Sequence, residues 1–183
     1  VRRVDVQDSD ATPGATNPAL ESVDSSNNLN WSFATVGMTN TWTGAGSTVW
    51  GTPANWSLAR GPIPEDNIVI AAACPLYPVL DAHRTVHDLT IESGASLSLN
   101  GWNLAVEGNL SVAGALTAAT NENVVLRGTN VTFTGGTLNR AMARFILQGM
   151  GGQFVTSDGE SFYRLINSNA AATVTFTDLV SAE

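Results

Sequence analysis

The stretch from Leu89 to Val112, LTIESGASLSLNGWNLAVEGNLSV, decides the fold. Apolar residues two apart recur in it as Leu89/Ile91, Leu97/Leu99, Leu104/Val106 and Leu110/Val112, with Gly94, Gly101 and Gly108 between them. Alternation at period two marks a strand, because successive side chains leave opposite faces of the backbone. Strands this short, each followed by a turn residue, are unlike a sandwich, where turn signals fall roughly every 8–12 residues. They suit a chain that makes a corner after each strand and stacks coil on coil, a β-solenoid.

The same pattern spreads outward from this stretch. Ile68/Ile70 precede it, and Val124/Leu126 and Val131/Phe133 follow. Asn100, Asn103, Asn109, Asn121, Asn123 and Asn130 fit corners, where Asn tolerates left-handed backbone and can stack in hydrogen-bonded ladders. The run Leu138 to Leu147 reads as one or two helical turns with Arg140 and Arg144 at i, i+4, or as a strand ending in Phe145-Ile146-Leu147. Strand is the preferred reading. Segment 7–30 is loop-like, dense in Asp, Ser, Asn and Pro.

Composition narrows the function classes. The 183 residues carry 13% charged side chains, against roughly 25% in an average globular protein. All eight basic residues are Arg, and sixteen carboxylates bring the net charge to −8. Such a balance argues against nucleic acid and against anionic membranes, both of which need clustered cations. No stretch approaches the ~20 apolar residues of a membrane span. Cys74 is the only cysteine, so no intramolecular disulfide forms; among Ala71 to Ala73 and Pro75 it reads as an inert buried thiol.

A second stretch, from Thr41 to Ile70, is punctuated by Trp42, Trp50 and Trp56 among Gly, Pro and Asn, at spacings that no helical period fits. The run Trp42-Thr-Gly-Ala-Gly-Ser, with Trp50, Ala54-Asn-Trp-Ser57 and Pro64-Glu-Asp-Asn-Ile-Val-Ile70, resembles a module of large bacterial surface and secreted proteins. Those proteins are right-handed parallel β-helices of the adhesin or passenger type. Leu89-Thr-Ile-Glu-Ser-Gly94-Ala-Ser-Leu97 and the run from Gly101 to Leu110 look like their coil signature. Val6-Gln-Asp-Ser-Asp-Ala11 and Asn27-Asn-Leu-Asn-Trp31 resemble a coil-and-loop unit found there. The resemblance implies a fold and an extracellular or cell-surface location. It implies no activity, because such solenoids host lyases, adhesins and scaffolds alike.

The expected fold is therefore all-β, a right-handed parallel β-helix (β-solenoid) with a Trp-rich loop region. The chain is expected to be one continuous solenoid: an opening coil and loop over 1–40, the Trp-rich module over 41–65, regular coils over 66–148, and closing coils over 149–183 that continue into a next unit.

Candidate chemistry is sparse. His83 and His87 would share a helix face at i, i+4 and could form a metal pair, but Val86, Leu89 and Ile91 place them on strand or turn with no third ligand. Asp5, Asp8 and Asp10 cluster as hard oxygen ligands that could take calcium; turn caps are the simpler reading, and no other cofactor is expected. The remaining carboxylates are scattered singly, no Lys can serve as base, and no catalytic triad or phosphate loop is traceable. No enzymatic role is expected. Trp42, Trp50 and Trp56 could stack sugars beside Asn and Asp, or plug a core with each indole N–H on a carbonyl; packing is preferred.

The two ends match. Thr173-Val-Thr-Phe-Thr-Asp-Leu-Val180 alternates as a strand, and Val4 and Val6 share one face at the start. The chain begins with Val1 and not Met, so it is expected to be processed or a piece of something longer. The expected function is a structural building block of an extracellular filament, sheath or long adhesin, stacked end to end with further copies or adjacent repeats through Val4 and Val6 at one tip and Val174, Phe176 and Leu179 at the other. A carbohydrate-binding or carbohydrate-cleaving module, with surface glycans as partner, is the alternative.

Overall fold

A computed structural model describes residues 5–12, 14, 16–20, 23–34, 38–169 and 173–182. The chain divides into two compact units, Val1–Met38 and Thr39–Glu183. In the first, Asp5–Val6 pairs in parallel with Val23–Asp24, and Asn17–Leu20 pairs with Trp31–Ala34. Polar side chains tie this small coil together: Asn28 Nδ2 donates to the Val6 carbonyl at 2.7 Å, and Trp31 Nε1 donates to Ser9 Oγ at 3.1 Å.

The second unit is a parallel β-solenoid of about five turns, with one short 3₁₀ turn at Pro53–Asn55 as its helical content among the described residues. Three sheets make its faces. Face A has seven strands, Thr39–Trp42, Asn67–Ile70, Leu89–Ile91, Leu110–Val112, Asn130–Phe133, Gln153–Thr156 and Val174–Phe176. Face B has five, Arg84–Val86, Leu104–Val106, Asn123–Leu126, Arg144–Leu147 and Arg164–Asn167. Face C has three, Ser96–Ser98, Ala115–Thr117 and Thr137–Asn139, and a further pair, Ser161–Phe162 with Ser181–Ala182, stands apart from them. No helix among the described residues is long and apolar enough to cross a membrane.

The period-two pattern explains the core. Each apolar pair read in the sequence turns both members inward, and register stacks them on the same positions of the next turn. Ile68, Leu89, Leu110, Val131 and Val155 form one inward row of face A; Ile70, Ile91, Val112 and Phe133 form the second. Face B contributes Val86, Val106, Leu126 and Leu147, and face C contributes Leu97, Leu116 and Leu138. All of these are buried. The run 138–147 holds two strands joined by a turn, which resolves its ambiguity in favour of strand. Arg140 and Arg144 thus lie on different strands and faces, where no i, i+4 helical pairing applies.

Corners fix how closely the turns approach. Asn100 and Gly101, at φ 51° and 86°, turn the chain from face C toward face B. At the next corner, Gly128 stacks on Gly108 so tightly that a Cβ at Gly128 would lie 1.8 Å from the Gly108 carbonyl oxygen. Gly128→Ala should therefore cost about 1–3 kcal/mol by overpacking. Gly151→Ala, where a Cβ meets nothing within 4 Å, should stay within about 0.5 kcal/mol of the parent. Urea unfolding midpoints of the two variants check this.

Candidate functional site

The Trp-rich module is built inward. Trp42, Trp50 and Trp56 are 1%, 0% and 3% exposed. Trp56 lies edge-to-face with both others, at centroid distances of 5.0 Å to Trp42 and 4.8 Å to Trp50. Trp42 Nε1 donates to the Leu76 carbonyl and Trp56 Nε1 to the Trp50 carbonyl, each at 2.7 Å, while Trp50 Nε1 is buried without a partner. Two buried amides hold the loop around them. Asn55 accepts from the Gly46 and Ser47 amides and donates to Ser47 Oγ and the Val49 carbonyl. Asn40 donates to the Arg60 carbonyl and accepts from the Leu58 amide. The indole faces are core, so these three tryptophans offer no surface on which a sugar could stack; that candidate contact is withdrawn on grounds of burial.

The carboxylates are spent on joining turns. Glu122, 2% exposed, accepts from the Gly101 amide one turn away at 2.8 Å and from the Ala119 and Thr120 amides at its own corner. Asp88 takes the Asn109 amide, Glu92 the Ala72 amide, Asp158 the Gly135 amide and Glu160 the Leu138 amide. Asp178 takes the amides of Ser157 and Asp158. Asp66 sits in a fork from Arg60 at 2.6 and 2.7 Å. Burial works to raise the Glu122 carboxyl, but the surrounding amide donors outweigh it and hold the group below the usual glutamate range. The Ser157 amide does the same for Asp178, against a smaller opposing effect of burial.

The other candidates fall in separate places. His83 Nδ1 accepts from the Asn103 amide at 3.0 Å, whereas His87 Nδ1 lies 3.0 Å from Asn67 Oδ1. The strand Arg84–Val86 lies between them, and four residues of extended chain hold the two about 13 Å apart, too far for one metal ion. Asp5 pairs with Ser25, Asp8 accepts from Asn27 and Asp10 accepts from Thr12. The first two join neighbouring coils and only Asp10–Thr12 is a local turn cap; among the described residues no group of three or more His, Cys, Asp or Glu could hold a metal ion. Cys74 is half-buried with Sγ 3.2 Å from the Trp42 carbonyl, and desolvation pushes its thiol up. A shallow depression of about 310 Å³ at the corner of faces A and C is lined by small residues such as Ser93, Gly94 and Gly114, without a titratable group.

Of the proposed assembly residues, Val4 lies outside the described residues and Val6 is buried at 8% exposure. The other three stand on the last turn. Phe176 holds an inward-row position, paired with Val155, yet is 45% exposed where Val155 is 0%. Leu179 is 95% exposed, and Leu165, Val174 and Val180 are partly buried against the core beneath them. Sequence reading missed two exposed aromatics, Trp102 and Tyr163, each 36% exposed and each one residue before an outward position of face B. The signal was there: both are aromatics at a corner, two residues before the first inward residue of the strand that follows, Leu104 and Leu165.

No protein-family model, curated protein or solved structure matches the chain. The class that the fold defines is the parallel β-solenoid.

Two consequences follow from the low-lying carboxyls. A folded-state pKa below the unfolded value gives stability that is present above the unfolded pKa and lost as pH falls through the folded one. Thermal stability should therefore fall as pH drops below about 4.3, the ordinary Glu value. Glu122→Gln should lower stability at pH 7 by about 1–3 kcal/mol, since an amide group opposes the three donors, and should flatten the acid limb. Melting curves of parent and variant between pH 3 and 7 measure both.

Proposed function

We propose that the chain is a structural building block of an extracellular filament, sheath or long adhesin, extended end to end by β-strand stacking. The observation that carries this reading is the last turn. Its strands Arg164–Asn167, Val174–Phe176 and Ser181–Ala182 each pair with the turn before them. Their inward side chains, Leu165, Val174 and Phe176, form a core layer with apolar surface exposed. A following turn would cover that layer and extend three sheets at once, by the same row-on-row packing found below it. That turn can come from adjoining chain or from another copy; the chemistry of the junction is the same. Acidic surface and the absence of Lys suit a durable surface polymer. The complementary tip expected from the sequence rests on Val4 and Val6 and adds no support, so the proposal stands on the C-terminal turn.

The test is assembly. The parent chain should show concentration-dependent end-to-end association in sedimentation velocity and linear particles in electron microscopy. Phe176→Asp with Leu179→Asp should remain folded by circular dichroism, with association weakened at least tenfold. A parent that stays monomeric at millimolar concentration, or a double variant that associates as the parent does, overturns the proposal.

A further inference from the structure

We propose that the outer edge of face B binds an anionic polysaccharide, with a uronate carboxylate held between Arg144 and Arg164. Register stacks His83, Asn103, Asn123, Arg144 and Arg164 in one outward row on successive turns. The first three members are linked: the Asn103 amide donates to His83 Nδ1 and the Asn123 amide to Asn103 Oδ1, at 3.0 and 2.8 Å. The last two are guanidiniums on adjacent strands, about 4.8 Å apart at the backbone.

These two are the anomaly in the molecule's charge pattern. Arg60, Arg84 and Arg127 each pair with a carboxylate, Asp66, Asp81 and Glu107 respectively, and Arg140 donates to Ser161. Among the described residues, Arg144 and Arg164 alone of the arginines have no ion pair or hydrogen-bonded partner for their side chains. The nearest acids in sequence, Asp158 and Glu160, are committed to the Gly135 and Leu138 amides, and Glu122 to three more. Like charges directly opposite one another on neighbouring strands cost free energy, and among the described residues no carboxylate pairs with either arginine to offset it. An oxyanion between the two forks would, and a planar carboxylate matches guanidinium geometry in a bidentate manner.

The surroundings specify more than an anion. Arg144 and Arg164 line a depression of about 270 Å³ with Asn121, Met142 and Tyr163. Tyr163 and Met142, 36% and 52% exposed, give an apolar wall beside the charges, and Asn121 gives an amide. An anionic group, an apolar face and a hydrogen-bonding edge on one ligand describe a uronic acid residue. The edge also continues. Three turns back, about 14 Å along the solenoid, Trp102 stands before Asn103 as Tyr163 stands before Arg164, its ring edge-to-face with His83 at 5.1 Å. Two exposed aromatics joined by a row of amides suit a chain of sugars lying along the stack. Two unpaired arginines are too few for a polyphosphate backbone, which needs repeated neutralisation. The site is formed by outward positions on the side of the last two turns, and not by the inward layer that stacking would cover.

Isothermal titration of the folded chain with oligogalacturonate and oligomannuronate hexamers tests this, against a neutral cellohexaose, a sulfated hexasaccharide and a thymidine oligonucleotide. At least one uronate should bind, and more tightly than the other three. Arg144→Gln and Arg164→Gln should each weaken binding at least tenfold, Tyr163→Ala and Trp102→Ala severalfold, and added salt should weaken it further. Arg127→Gln, on the opposite edge of face B and paired with Glu107, should bind as the parent. Melting temperatures certify that the variants fold; should either Arg variant unfold, Arg→Lys at the same position replaces it, with loss of the bidentate fork expected to weaken binding. Failure of both uronates, tighter binding of the neutral, sulfated or nucleic acid probe, or full binding by the Arg144→Gln, Arg164→Gln double variant overturns the proposal.

Discussion

Everything in the second unit depends on the register between turns. Face B keeps spacings of 20, 21 and 20 residues from Leu104 to Val124, Phe145 and Leu165. Since side chains alternate along a strand, a slip of one residue would send every inward Leu, Ile and Val to solvent. Insertions are therefore confined to corners. On face A the step from Val131 to Val155 is three residues longer than the step from Leu110 to Val131, and the surplus bulges out around Gly149 to Gly152. Gln153 repairs that bulge from inside: its amide donates to the Leu126 and Gly128 carbonyls and accepts from the Gly149 amide. The Trp module is a larger case. Asn40 pairs with Ile68, and the 27 residues between them fold back around three indoles.

Register also accounts for the acidic composition. A solenoid corner leaves amides that no strand partner satisfies, and buried donors must find acceptors. A carboxylate placed one turn away reaches them, as Asp88, Glu92, Asp158, Glu160 and Asp178 do. Their scattering in the sequence, which looked like an absence of organisation, follows from corners that recur once or more per turn, each taking one or two carboxylates. Converging carboxylates would instead mark a groove built for acid–base chemistry.

How much was legible follows the range of the interaction. The strands from Ile68 to Phe133 could be read because apolar pairs and corner residues lie within a few positions of each other. Burial of Trp42, Trp50 and Trp56 depends on the Leu76 carbonyl and on Asn55, contacts that spacing does not encode; the sequence favoured packing over sugar stacking but could not name the groups that enclose the indoles. Arg144 and Arg164 were harder still. They are 20 residues apart. The sequence placed Arg144 in a run read as strand in preference to a helix pairing it with Arg140, and neither reading names a partner that far along the chain. Only the register, which makes them Cα neighbours, brings them together.

A stacked solenoid offers two kinds of surface, and their chemistry differs for a physical reason. Its ends expose the section of a core, apolar and shaped by the inward rows; a partner there must supply strands in register, which favours more of the same fold. Its sides expose outward rows that repeat at the inter-strand spacing, about 4.8 Å, and vary freely because no packing constrains them. A partner there need only be long and repetitive. Linear polysaccharide meets that condition better than a folded protein, whose surface seldom repeats along a line. The variation along the outward row of face B, from His83 through two Asn to two Arg, therefore sets a direction on an otherwise uniform face: the aromatic–histidine pair marks one end and the cationic pair the other. In such a design the inward rows fix where each side chain stands, and the outward rows are left to choose what it meets.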